Sequence, residues 1–74
     1  MYFLRFADEY LEDAQGFKTL REARQAYEEV AEELYRYGQA IEASVHVAKS
    51  IDEVAEYPDC LFSYEDGRVI KEAL

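Results

Sequence analysis

Residues 19–38, TLREARQAYEEVAEELYRYG, decide the fold of this chain. Thr19 followed three positions later by Glu22 is a capping box. The hydroxyl accepts from the Glu22 backbone N–H, and the carboxylate can reach back to the backbone of Thr19. Behind the cap, Leu20, Ala23, Tyr27, Val30, Leu34 and Tyr37 recur at spacings of three and four, which aligns them as one apolar stripe of a helix. Gly38 supplies the residue that a left-handed helix stop favours. The spacing therefore predicts a helix running to about Tyr37, with Tyr27 and Tyr37 in the core. Ala23, Ala26 and Ala31 beside the stripe would let the helix lie close against a sheet.

Working outward, the period changes from 3.6 to two. Tyr2, Leu4 and Phe6 alternate with Met1, Phe3 and Arg5, so residues 1–8 read as a strand with apolar groups on both faces and a central, covered place in a sheet. Residues 9–18 read as a polar, exposed connection anchored by Tyr10, Leu11 and Phe17, with Gly16 as its turn point. Beyond the helix, residues 40–49 alternate again, with Ile41, Ala43, Val45 and Val47 on one face and Glu42, Ser44 and His46 on the other. Ser50 and Glu53 form a second capping box, predicting a short helical turn that closes before Tyr57-Pro58. Residues 59–64 and 68–72 read as strands joined by Asp66-Gly67, a strong two-residue hairpin signal.

These elements predict an α+β fold in one domain, 1–74. A four-stranded, mostly antiparallel sheet carries one long helix on one face, in the order β-α-β-(short α)-β-β. The order of strands across the sheet does not follow from the pattern. A chain of 74 residues has room for one core, because it hides only about 60% of its unfolded surface on folding.

Half the residues are hydrophobic and 15% aromatic, so the high charge is expected on the surface of a folded body and not along a solvated tail. Seventeen acidic residues against eight Lys and Arg give a formal charge of −9. Such a field repels phosphate backbones and anionic lipid and attracts basic surfaces. Direct nucleic-acid binding, which needs a basic patch, is thereby disfavoured, and a basic protein partner is expected. Cys60 is alone and can form no internal disulfide, and no run approaches the roughly 20 apolar residues that span a bilayer. Residues 1–8 read as strand and not as a basic leader with a cleavage site, so a cytoplasmic location is expected.

The acids are not spread evenly. Glu22, Glu28, Glu29, Glu32, Glu33 and Arg36 fall opposite the apolar stripe, with Arg21 and Arg24 toward its margin. A solvated helix face is the plain reading of that arc. Two details ask for more. Glu28 with Glu32, and Glu29 with Glu33, are like-charged pairs four apart, each costing a few tenths of a kcal/mol where alternating signs would gain it. All four also stand in the C-terminal half, where the helix macrodipole disfavours anions, while Arg21 and Arg24 stand near the start, where it disfavours cations. Selection for helix stability alone would reverse that order. The candidate partner-binding residues are therefore Glu28, Glu29, Glu32 and Glu33, aided by Asp8, Glu9, Glu12 and Asp13 in the 8–13 loop. Seven tyrosines exceed what so small a body can bury, and Tyr is favoured at interfaces for its apolar ring and polar tip. Tyr10 and Tyr35, with Tyr57, are the candidate contacts among them.

Catalytic and metal chemistry find little footing. A Cys–His nucleophile pair would have to be Cys60 and His46, but the alternation turns His46 away from the helix, as a surface residue, and leaves Cys60 a buried structural thiol beside Phe62 and Tyr64. Asp8, Glu9, Glu12 and Asp13 match no calcium-loop spacing. No cofactor, metal or catalytic residue is expected.

In size, in its −9 charge and in a short strand followed by a Glu-rich helix and a small sheet, the chain resembles the small acidic anti-CRISPR proteins that phages and mobile elements carry. The resemblance is one of layout and charge, not of motif. It implies an inhibitor that occupies the basic DNA-binding surface of a CRISPR effector complex, or of another nucleic-acid-binding protein, by mimicking the charge of DNA in the host cytoplasm. The other reading is a structural or adaptor module, monomer or homodimer, that pairs through its sheet edge and exposed tyrosines. Salt should weaken the first mode of binding and not the second.

Overall fold

In the computed structural model, which describes residues 1–74, the order of elements is β1 (Tyr2–Phe6), a 3-10 turn (Leu11–Asp13), β2 (Gln15–Phe17), α1 (Leu20–Arg36), β3 (Ala43–Val47), a second 3-10 turn (Ile51–Glu53), β4 (Cys60–Glu65) and β5 (Arg68–Ala73). The strands form one sheet in the order β2-β1-β3-β4-β5, with every neighbouring pair antiparallel. β2 and β3 both run against β1, so they are parallel to each other, and α1 connects them across one face.

The sheet thus has five strands where four were expected. The additional one is β2, within the stretch read as a polar connection. Its pattern is short and masked by Gln15 and Gly16, yet it pairs Tyr2 with Phe17, Phe3 with Gly16 and Leu4 with Gln15. Gly16 is there for space and not as a turn. A Cβ at this position would lie 2.9 Å from Phe3 Cε1 and 2.9 Å from Met1 Cε, so only a bare backbone fits beneath the buried Phe3 ring. β1 holds the central position its two apolar faces predicted, with Phe3 and Leu4 both buried.

The helix begins and ends where the sequence prescribes, although the Glu22 carboxylate meets the Thr19 hydroxyl and not its backbone. Thr19 Oγ1 accepts from the Glu22 N–H at 3.1 Å and donates to Glu22 Oε1 at 3.0 Å. At the other end the Gln39 N–H reaches the Leu34 carbonyl (2.9 Å) and the Gly38 N–H reaches that of Tyr35 (3.0 Å), a Schellman closure in which Gly38 takes φ = +74°. The buried line is Ala23, Tyr27 and Ala31, narrower than the stripe on the wheel. Val30 is exposed, and Tyr37, expected in the core, is 75% exposed. The reason is local. Tyr37 is the C-cap, with φ −98° and ψ 11°, and leaves the helix path just where the stripe would have carried it onto the sheet.

The two alanines bring α1 close to the sheet, and Tyr27 fills the space between them. Its ring lies 6.0 Å from that of Phe6 and 5.4 Å from that of Phe62, and its hydroxyl donates to the Ile41 carbonyl at 2.7 Å. Leu4, Ala43, Val45, Cys60, Phe62 and Val69 complete this core from the sheet side. Burying a side chain of Phe size contributes about 1.5–3 kcal/mol, so this small set supplies much of the fold's stability.

The opposite face is covered by connections instead of a helix, and here the sequence reading is corrected. His46 was expected at the surface but is 1% exposed. Residues 48–59 fold back over β3 and place the Ala55 carbonyl 2.9 Å from His46 Nδ1, while Ser44 Oγ lies 2.9 Å from Nε2. A carbonyl can only accept, so Nδ1 carries the proton; in the neutral ring, Nε2 accepts from Ser44. Asp59 pins the end of this cover by accepting from the Val47 N–H at 2.7 Å. The second capping box also fails: Ser50 makes no side-chain cap, and the turn after it is 3-10 instead of α. The last hairpin closes as Asp66-Gly67 predicts, with φ of 52° and 79° at its two central residues, the signature of a type I′ turn.

Candidate functional site: the acidic flank of the helix

α1 holds its C-terminal glutamates away from the core because Tyr27 and Ala31 face the sheet. Glu29, Glu32 and Glu33 are exposed and, with Arg36, line one shallow depression on the outer surface. Arg36 Nη2 stands 3.6 Å from Glu32 Oε1, an exposed i,i+4 pair of small energetic weight. From Glu28 to the helix end, four carboxylates therefore share one cation.

Glu28 departs from the expected arrangement. It is half-buried and turned toward β4, where it and Glu32 act on Tyr64. Loss of hydration raises the Tyr64 phenol, and the negative charges of Glu32 and then Glu28 add to this, with Arg36 opposing them. Tyr35 packs edge-on against Tyr64 with ring centroids 5.5 Å apart and remains 51% exposed. The fold thus gathers Glu28, Glu32, Tyr35 and Tyr64 on one flank, with Glu29 and Glu33 on the outer crest. Tyr64 was absent from the residues the sequence singled out. The alternation of 59–64 placed it on the helix-facing side, and only the register of α1 over β4 shows that it reaches the acidic flank.

The 8–13 loop divides. Asp8, Glu12, Asp13 and Tyr10 are exposed, Tyr10 at 76%. Glu9 turns inward: its Oε1 accepts from the Phe6 N–H at 3.0 Å and its carbonyl accepts from Arg5 Nη1 at 3.0 Å. Its carboxylate closes the end of β1 through Oε1, and the side chain is half-buried. Asp8 lines a cleft with Leu34, Gln39, Ala40, Ile41 and Glu42, which sets it by the C-terminal end of α1 but off the flank bearing Glu28 and Glu32. Glu42 extends the acidic end of the molecule and was missed, since the sequence placed it only on a strand's outer face.

His46 and Cys60 lie on opposite faces of the sheet and form no pair, since Cys60 belongs to the helix-side core. Burial pushes the Cys60 thiol up, Asp59 adds to this, and Lys71 opposes it. This is the environment of an inert structural cysteine. No helix is long and apolar enough to cross a membrane. Comparison of the chain with protein-family models, with curated proteins and with solved structures yields no match.

Proposed function

We propose that this protein binds a basic, nucleic-acid-handling protein through the Glu28, Glu29, Glu32 and Glu33 flank of α1 and thereby blocks that partner's DNA-binding surface. One observation carries the reading: four carboxylates crowd the C-terminal half of α1 as two like-charged i,i+4 pairs, with Arg36 the only cation among them. Neighbours in such rows stand about 5–6 Å apart, a spacing that a groove built for a phosphate backbone can accept. Tyr35 and Tyr64 beside the row supply flat apolar surface of the kind that anchors interfaces. Asp8, Glu12 and Asp13 add to the field at one end. The anti-CRISPR resemblance makes a CRISPR effector complex the leading partner class, and the mode of action charge mimicry without catalysis.

The test is capture from a bacterial lysate on the immobilised protein, followed by elution with duplex DNA. The reading expects DNA-binding proteins to be retained and duplex DNA to displace them. Retention of a partner that duplex DNA does not displace would count against it.

A further inference from the structure

The free edge of β5 carries a register that suits a second copy of the same strand. A two-residue type I′ hairpin makes Glu65 and Arg68 its first hydrogen-bonded pair, and the Leu74 N–H donates to the Asp59 carbonyl at 3.3 Å at the far end. Arg68, Ile70 and Glu72 therefore turn their backbone groups toward β4. Val69, Lys71 and Ala73 turn theirs outward, with no strand beyond them. A six-residue edge with alternate N–H and C=O groups open is a template for strand addition.

We infer that two copies of this chain pair their β5 strands antiparallel about a two-fold axis through Ile70, joining five strands from each into one continuous sheet. In that register Val69 exchanges both backbone hydrogen bonds with Lys71 of the second copy, and Lys71 with its Val69. On the opposite face Ile70 meets Ile70, and Arg68 stands across from Glu72 on both sides of the axis. Every charged residue on that face meets its opposite. Cross-strand pairs of opposite charge stabilise a sheet by about 0.2–1 kcal/mol each, whereas like charges directly opposite destabilise it. Ile70 is half-buried already, beside half-buried Leu61 and Ser63, so the pairing extends apolar surface that the covering connections leave open. The interface is isologous, as a two-fold dimer requires. On the helix side of this edge, Val69 and Lys71 line a cleft with Leu20, Arg21 and Arg24 from the start of α1.

Sedimentation equilibrium from micromolar to millimolar protein, near physiological ionic strength, tests the pairing with three variants. K71P removes an outward N–H and leaves every bond to β4 in place, a position where an edge strand tolerates proline. It should weaken association at least tenfold with the circular dichroism unchanged. R68E should weaken it similarly by setting acid against the second copy's Glu72. R68E/E72R should restore it, although Glu65 still faces the altered position 68 within the hairpin, so restoration reports pairing between copies. A protein monomeric at all concentrations, or a dimer indifferent to K71P and to the charge swap, would overturn the inference.

Discussion

Tyr27 shows how one side chain sets both packing and a pH limit. It is fully buried between Phe6 and Phe62, and burial pushes its phenol up to about 12, with Glu42 and then Tyr64 adding to the shift. In the unfolded chain the phenol ionises near 10. The folded pKa is the higher, so this contribution to stability is complete below about pH 10 and is lost as pH rises from about 10 to about 12. Discounted for solvent screening, since the hydroxyl lies close to the surface, the loss amounts to about 1–2 kcal/mol, read by urea denaturation across that range. Y27F should flatten the slope; an unchanged slope would contradict the assignment. The sequence made Tyr27 legible because its spacing places it at the centre of the stripe. Tyr37 and His46 were misread for different reasons. Tyr37 depends on the backbone leaving the helix at its cap, and His46 on a loop folding back over the sheet, and neither is written in a local period.

At the scale of elements, the bounds of α1 were legible, since the cap and Gly38 both mark them, while its stripe holds at Ala23 and Tyr27 and fails at Val30 and Tyr37. β2 was not, because three residues with a glycine at the centre carry too little period to register as a strand. Its test is G16A. The added methyl meets the buried Phe3 ring at 2.9 Å, and the cost should be about 1–3 kcal/mol in denaturant unfolding. An unchanged midpoint would mean that the ring yields freely and that the glycine has no packing role. The glutamate row invites the opposite experiment. Gln and Glu have similar helix propensity, so E29Q/E33Q removes a like-charged pair near the negative end of the helix with little other change. The protein should gain about 0.3–1 kcal/mol. A loss of stability would show that the row serves the fold, and the argument for an interface would fall with it.

At the scale of the molecule, the sheet and helix form a small scaffold whose two notable surfaces are unlike. The α1 flank is acidic and built of like-charged neighbours, while the β5 edge alternates its charges about Ile70. The first was legible in the sequence as an excess of acid ordered on a wheel. The structure sharpened it by turning Glu9 inward and Glu28 toward Tyr64, and by leaving Glu29, Glu32 and Glu33 outermost. The second needed the hairpin geometry, since the direction of backbone groups on an edge depends on which pair closes the turn. Binding through the row of glutamates is reached by capture from a bacterial lysate with the wild-type protein and with E28Q/E29Q/E32Q/E33Q, washed at low and at high ionic strength. Wild type should retain a basic nucleic-acid-binding protein at low salt and lose most of it once the Debye length shrinks to about 3 Å in 1 M salt, and the variant should retain little at either. Equal retention by wild type and variant, unchanged by salt, would contradict it.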